Sequence, residues 1–335
     1  PPTPPPPRTP DRQAQAADVV CVGETMAVLG PPDGGPLDEQ STLALAIGGA
    51  ESNVACTLAA LGHRAAWLSR LGDDPFGRRV LAELTARGVD VTGVETDPER
   101  PTGVYFKDPT PAGTRTHYYR GGSAATLMGP DLARSPALRC ARVVHLSGVA
   151  AALSDTCAHL LETILVDRAL GAPTVSFDVN HRPALWQGGP AKAAKKLLTL
   201  ARAADIVFVG RDEAEALWGT AHPDDTAELL SPAPLVVVKD AENGATSYRA
   251  DGTRTFVPAL PTRVVEPVGA GDAFAAGYLA AVLENRDERA RLRLGHLAAS
   301  AALRTRADVP ALPPRTETDR HLALDDVAWA RTAPP

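Results

Sequence analysis

The stretch VEPVGAGDAF, residues 264–273, carries a short β-like segment into a long apolar helical one through Gly-Ala-Gly-Asp. Two glycines and a carboxylate at a helix start raise a choice. The N-terminus of a helix presents free N–H groups and a partial positive charge, so it draws anions. Asp272 either supplies that anion itself, as a cap, or stands beside amides left free for a phosphate. Gly269 and Gly271 lack a Cβ, so phosphate oxygens can approach the backbone closely. A lone turn of this kind does not separate the two readings; the rest of the chain has to.

The chain has 335 residues, 44% of them apolar, enough to bury the core of one large domain or two smaller ones. A net charge of −6 argues against a general nucleic-acid binder, which carries a basic face. Arginine makes up 29 of the 34 basic residues, a bias that reads as coding preference rather than function. No apolar run reaches the ~18 residues needed to span a bilayer, and no secretory h-region opens the chain. Cys21, Cys56, Cys140 and Cys157 show no CxxC spacing, so neither a disulfide framework nor a zinc site is expected. The simplest reading is a soluble protein of a reducing, cytoplasmic compartment. PPTPPPPRTPDRQAQAA, residues 1–17, is a Pro-rich tail predicted to be disordered, and RTAPP closes the chain in similar fashion. There is no internal repeat.

Working outward from the turn, strand-like and helix-like segments alternate. DVVCVG (18–23) reads as a buried strand, and AESNVACTLAALG (50–62) as a helix stopped by Gly62. AAWLSRLG reads as a strand and PFGRRVLAELTARG (75–88) as a helix. Between about 95 and 122 the pattern changes: TGVYFKD and RTHYYRGG are short alternating runs split by PTPAG, which predicts a hairpin. Strand and helix patterns then alternate from ARVVHLSG to PLVVVKD, a βαβα order that predicts a parallel sheet covered by helices on both faces. A hairpin-like section (245–257) and helices over 270–284 and 288–305 follow. The expected fold is α/β: a three-layer αβα sandwich over 18–330, with a small β lid from segments around 30–47 and 95–122. A ligand is expected beyond the carboxyl ends of the parallel strands.

A second stretch changes the odds on the turn. In IGGAESNVACTLAALG (47–62), Gly48 and Gly49 permit close backbone approach before a helix, and Asn53 can both donate and accept hydrogen bonds to sugar hydroxyls. By itself this is equally a loop leading into an amphipathic helix. Together, the Gly-Gly-x-x-x-Asn-x-Ala-x-x-Leu-Ala-x-Leu-Gly pattern and GAGDAFAAGYLAAVL, about 220 residues apart, resemble the two signatures of the ribokinase/PfkB carbohydrate kinases. The resemblance covers roughly residues 18–312. It implies a ribokinase-like fold and ATP-dependent phosphorylation of a sugar-like alcohol. Asp272 would be the general base, and Gly269, Ala270 and Gly271 the anion hole.

Two further runs bear on the acceptor. In THYYRGGSAATLM (116–128) and DVNHRPALW (178–186), Arg120 and Arg182 lie at the ends of predicted strands, where packing does not require arginine. A guanidinium fork grips a carboxylate bidentately, in a geometry no neutral sugar matches. Alternation puts Tyr118 and Arg120 on one face of a strand and Tyr119 on the other. Arginines are abundant here, so either one alone reads equally as a surface residue. The two runs resemble the 2-keto-3-deoxygluconate kinase branch. That resemblance implies substrate contacts from Gly48, Gly49, Asn53, Tyr105, Tyr118, Arg120 and Arg182, and, on a looser match in RADVP, from Asp308. The implied substrate is a six-carbon keto-deoxy acid phosphorylated on its terminal hydroxyl, with the arginines on its carboxylate. The alternatives are a kinase for a neutral sugar such as fructose or ribose, and a sensor that kept the fold without the chemistry.

The resemblance implies ATP and Mg²⁺ as cofactors, with nucleotide contacts from Lys239, Gly244, Gly269, Gly271 and His296. GRDEAEALWG (210–219) resembles an Asn-x-x-Glu element that organises Mg²⁺, with Glu213 matching the Glu and Gly210 standing where Asn is usual. Ala241 replaces the first glycine of a Gly-x-x-Gly nucleotide turn, and His296 replaces a usual Asn. Glu266 replaces an Asp before the second signature, which bears on a linked monovalent-cation site. His117, His145, His181 and His296 are scattered and form no HExxH pattern; no GxSxG elbow or GxGxxG dinucleotide turn is present. Cover for the exposed face of a lid predicts a homodimer joined through it.

Overall fold

Consecutive residues of the parallel strands are buried on opposite faces. Val20, Val22, Val144, Leu146, Phe177 and Val209 pack into one apolar core. Val19, Cys21, Trp67, Val143, Phe208 and Val237 pack into another. A strand that must be apolar on both sides reads as a continuous hydrophobic run, as DVVCVG and DIVFVG do. The computed structural model describes residues 16–110 and 113–334. Apart from Ala16 and Ala17, the Pro-rich tail lies outside the described residues.

The main sheet has eight strands in the order Arg254–Val257, Gly244–Arg249, Leu235–Asp240, Ile206–Gly210, Thr174–Asp178, Val143–Ser147, Val19–Val22, Ala65–Leu68. The last six run parallel to their neighbours; the first two join them antiparallel. Helices Asp155–Leu165 and Pro190–Ala203 cover one face. Helices Ala50–Ala60, Ala270–Leu283 and Glu288–Leu303 cover the other. This is the expected three-layer αβα sandwich.

A separate four-stranded sheet orders Ala44–Gly48, Met26–Gly30, Val104–Thr110 and Gly113–Tyr119. It is broader than the sequence suggests. MAVLG, to which the sequence analysis assigns no element, is one of its two inner strands and pairs in parallel with Val104–Thr110. Conversely, Glu95–Asp97 belongs elsewhere: it pairs with Arg70–Gly72 in a two-stranded ribbon. AAWLSRLG is accordingly two strands in two different sheets. The C-terminal segment also gains structure, because Trp329 on helix Asp326–Arg331 is buried and its Nε1 donates to the Pro258 carbonyl at 2.9 Å.

The topology brings the polar ends of the parallel strands together. Asp178 lies in register with Ser147, and Gly210 with Lys239, at the carboxyl edge of the sheet. Helices Ala50–Ala60 and Ala270–Leu283 pack on one another with both N-termini at that edge, joined by a hydrogen bond from Asn53 to Asp272.

Candidate active site

Gly269 caps helix Ala270–Leu283 at φ 83°, a left-handed conformation that favours glycine. A Cβ there would stand 2.6 Å from the Asp308 carbonyl oxygen, so the turn is packed against the 306–309 segment on that side. On the other side it is open. Among the described residues beyond the helix's own first turn, a Cβ at Gly271 would meet only Lys239 Nζ, at 3.5 Å. The missing side chain therefore leaves a cradle over the first-turn amides, with an ammonium at its rim. That is the form an anion-binding turn needs.

Asp272 faces this cradle from the first turn of the helix. Among the described residues it makes no salt bridge; Asn53 Nδ2 donates to its Oδ2 at 2.9 Å. Protein crowds the carboxyl, although part of its surface stays open to the cleft. Burial pushes its pKa up to about 7 against the lowering bond from Asn53; the Asp178 charge adds to the rise, while Arg182 and Lys239 oppose it. A carboxylate of that basicity suits proton abstraction near neutral pH. The arrangement can serve a base as well as a cap.

The Asp178 Oδ2 atom accepts from Lys239 Nζ at 2.9 Å, and its Oδ1 accepts from the Asn180 N–H at 3.2 Å. Glu213 sits beside this pair. Its two oxygens accept the backbone N–H groups of Gly210, at 2.8 Å, and His181, at 2.9 Å. Burial raises its pKa, opposed by the Lys239 charge. Gly210 therefore keeps the backbone part of the expected element without a side chain of its own. Asp178 and Glu213 are hard oxygen donors, the type Mg²⁺ takes. With both Glu213 oxygens already receiving N–H groups, contact through water suits it.

The four-stranded sheet contributes one more wall. Tyr105 Oη donates to Asp308 Oδ2 at 3.1 Å and Lys107 Nζ to Oδ1 at 2.6 Å. Gly48 leaves them room, since a Cβ there would lie 2.4 Å from Tyr105 Oη and 2.6 Å from Asp308 Oδ2. The Tyr105 and Tyr118 rings are 5.6 Å apart, and the Arg120 guanidinium lies 5.5 Å from the Tyr118 centroid. Tyr119 instead meets Phe106 edge-on at 5.5 Å, so the expected alternation holds.

Arg120 differs from the expectation of a free guanidinium fork. It is 9% exposed and ion-paired with buried Glu24, whose other oxygen accepts the Ser123 hydroxyl at 2.6 Å. The pair neutralises charge that a buried arginine could not carry alone. Arg182 is the exposed one, and its charge reaches Asp272. His296 also needs correction as an adenine contact. It is 7% exposed, shares a hydrogen bond of 3.1 Å between Nε2 and the Val257 carbonyl, and lies edge-on to Phe274. Burial lowers its pKa to about 4, which keeps it neutral in the core. Glu266 turns toward the second sheet, where its carboxylate accepts the Thr114 hydroxyl at 3.3 Å. Gly244 is irreplaceable in its turn, at φ 137° with a Cβ position 2.3 Å from the Val257 carbonyl oxygen.

Sequence reading missed Glu24, Lys107, Asp178 and Glu51. Lys107 was within reach, being two residues from Tyr105 and so on its face of the strand. Asp178 is the charged last residue of strand Thr174–Asp178, and Glu24 follows strand Val19–Val22 after a single glycine, which is a signal in itself. Glu51 sits in the first turn of helix Ala50–Ala60, fully buried, accepting the Ser147 hydroxyl at 2.6 Å. Nothing in its local sequence announces that depth.

Comparison with known proteins places this arrangement. The model of the pfkB family of carbohydrate kinases matches residues 16–314. A 2-dehydro-3-deoxygluconokinase of Bacillus subtilis is 34% identical over 303 residues, 89% of this chain and 93% of the relative. A probable fructokinase-2 of Arabidopsis thaliana is 32% identical over 309 residues, 88% and 92% of the two chains. Among solved structures, a PfkB protein from Polaromonas sp. JS666 superposes with a TM-score of 0.81 at 35% identity, covering 91% of this chain and 99% of that one. With both signatures at one cleft and the match running almost end to end, the chain belongs to the pfkB family of carbohydrate kinases.

Proposed function

We propose that the protein transfers the γ-phosphoryl group of ATP to the terminal hydroxyl of 2-keto-3-deoxygluconate, giving the 6-phosphate and ADP. One observation carries the reaction type: Asp272, ion-paired to none of the described residues and pushed by burial to a pKa of about 7, stands beside an open turn of amides. The substrate's hydroxyl oxygen bonds to the γ-phosphorus as its proton passes to Asp272. The bond from phosphorus to the β–γ bridging oxygen breaks, and its electron pair leaves on ADP. Amides of Gly269, Ala270 and Gly271 meet the charge on the equatorial oxygens, where preorganised donors are most effective. Mg²⁺, when bound with ATP near Asp178 and Glu213, supplies charge neutralisation. Gly244 shapes the nucleotide turn.

Support for an acid substrate comes from Arg182, exposed and electrostatically within reach of the cleft, and from the name of the Bacillus relative. Gly48, Gly49, Asn53, Tyr105, Tyr118 and Asp308 are assigned to the sugar chain. Arg120 is assigned to the carboxylate through the part of its guanidinium that Glu24 leaves free. A second reading, a kinase for a neutral ketose, is favoured by one finding: Glu24 already balances the Arg120 charge. Turnover of a panel of keto-deoxy acids, of both gluconate and galactonate configuration, against neutral ketoses with ATP and Mg²⁺ decides between them. Arg182→Ala is expected to weaken the acid substrate by ~1.5–3 kcal/mol, the worth of a charged hydrogen bond, and to leave a ketose unaffected. Equal use of fructose and the keto-deoxy acids by the wild type rejects the acid reading.

The four-stranded sheet is assigned as a lid that excludes water from the transfer. Unchanged hydrogen exchange over 104–119 at saturating sugar acid would count against it. Its outer side exposes Tyr119, at 69%, beside Phe106, and a homodimer through that face is the proposed cover. A monomer in sedimentation at micromolar concentration rejects that assignment. A cytoplasmic location fits the use of ATP.

A further inference from the structure

Lys239 is the penultimate residue of the parallel strand Leu235–Asp240, next to the bare backbone of Gly210. The resemblance in sequence makes it only a nucleotide contact. Its place in the fold is more specific. Nζ donates to Asp178 Oδ2 at 2.9 Å and lies 3.5 Å from the point a Cβ would occupy on Gly271, nearer than any other described group outside that helix's own first turn. The charges facing it are Asp178, Glu213 and Asp272. An ammonium carries three donors on a flexible stem, and Asp178 engages one of them.

We propose that Lys239 is a catalytic residue, its ammonium turning from Asp178 onto the γ-phosphoryl oxygens above the Gly269–Gly271 turn as negative charge gathers there. The lysine completes the amide cradle with a movable positive charge. It neither gains nor loses a proton in the step: the acceptor proton goes to Asp272 and the departing electron pair to ADP. Asp178, released in part, is then free to face the cation bound with ATP. The proposal rests on reading residues 269–271 as the phosphate turn, and it needs no particular sugar.

Lys239→Gln tests it, since the amide still reaches Asp178 without the charge. Turnover at saturating ATP and 2-keto-3-deoxygluconate is expected to fall ~10²–10³-fold, the usual loss for one preorganised donor. The KM for the acceptor should stay within threefold. By calorimetry with Mg²⁺, ADP should bind within threefold of wild type, while ADP with aluminium fluoride, a mimic of the phosphoryl in flight, should bind at least 30-fold more weakly. Lys239→Arg should recover part of both losses. If ADP with and without fluoride weaken equally, Lys239 is an ordinary nucleotide contact and the proposal fails. If stability falls while turnover per folded molecule is unchanged, Lys239 only balances Asp178 and the proposal fails equally. Should the variants not fold, the Lys239 ammonium ¹⁵N resonance of the wild type provides the test. It should shift on adding aluminium fluoride to the ADP complex, and no shift overturns the assignment. A wild type inactive on every acceptor would reject the substrate reading and leave the fluoride comparison standing.

Discussion

Two helix starts meet at the cleft, and their sequences are close in kind. Ile-Gly-Gly-Ala-Glu leads into Ala50–Ala60, and Val-Gly-Ala-Gly-Asp leads into Ala270–Leu283. Each has two glycines and then an acid in the first turn. The first start is closed: a Cβ on Gly49 would lie 2.3 Å from the Glu24 carbonyl oxygen, and Glu51 is shut in against Gly23 with the Ser147 hydroxyl as its one hydrogen-bond partner. The second is open, with only Lys239 Nζ near the vacant Cβ position of Gly271. A glycine pair before a helix therefore has two uses. One lets elements pack; the other leaves room for a ligand. What fills the missing side chain decides between them, and that is a property of the fold.

The acids should differ most. Asp272→Asn keeps the shape and the bond to Asn53 with a flipped amide, yet removes the base. Turnover is expected to fall ~10²–10⁴-fold, the usual worth of general-base catalysis, with ATP and sugar affinities within a few-fold. The wild-type kcat/KM should lose activity as pH drops below about 7, since the carboxyl must be ionised to accept a proton. A coupled ADP-release assay reads both. An Asn variant with wild-type turnover removes Asp272 from its role and erases the contrast with Glu51.

The glycines offer a cleaner break. Gly49→Ala drives a methyl into backbone and should cost ~1–3 kcal/mol of stability, as overpacking does. Gly271→Ala places its methyl in the cradle. Alanine favours the helix by up to ~1 kcal/mol, so the melting temperature should hold or rise while turnover falls at least about tenfold. Thermal melts paired with turnover measure the two. A loss of stability at 271 with turnover intact would make both turns packing joints.

Glu51 gives a prediction in pH. Burial pushes its carboxyl up to about 7, against an ordinary value of 4.5. A folded-state pKa above the unfolded one means that the native protein holds the proton more tightly. The stabilisation is complete below about 4.5 and is lost as pH rises through about 7, by no more than ~1.4 kcal/mol per pH unit. Glu51→Gln resembles the protonated acid, so it should match the wild type at pH 5 and exceed it in denaturant midpoint at pH 8. A midpoint at pH 8 no higher than wild type would show that Glu51 is not an ionising buried acid, and the closed start would lose its distinguishing feature.

The same contrast explains what the chain discloses before it is folded. The layers were legible because DVVCVG and DIVFVG are apolar at every position, a pattern set by burial on both faces. The helix start at 269–272 was legible because its turn is local. The ion pair of Arg120 was not legible because its partner Glu24 is 96 residues away in sequence, in a segment after the first strand to which the sequence analysis gives no role. His296 was misjudged because burial against Phe274 and Val257 comes from tertiary packing, which no spacing in helix Glu288–Leu303 reveals. Where one segment contains the whole interaction, sequence suffices; ion pairs across sheets need the fold.

The smallest effect concerns a turn that departs from the glycine rule. Ala241 adopts φ 43° in the turn between strands Leu235–Asp240 and Gly244–Arg249, where a glycine would meet no penalty, while Gly269 holds φ 83° without strain. A left-handed conformation costs a residue with a Cβ roughly 1–2 kcal/mol, partly offset because alanine restricts the unfolded chain more than glycine does. Ala241→Gly should therefore stabilise the protein by up to ~1 kcal/mol in denaturant titrations, with turnover unchanged. If it destabilises instead, the alanine methyl has packing that outweighs the strain. The turn would then belong with the closed helix start at Gly49, where contact decides, and not with Gly269, where backbone conformation does.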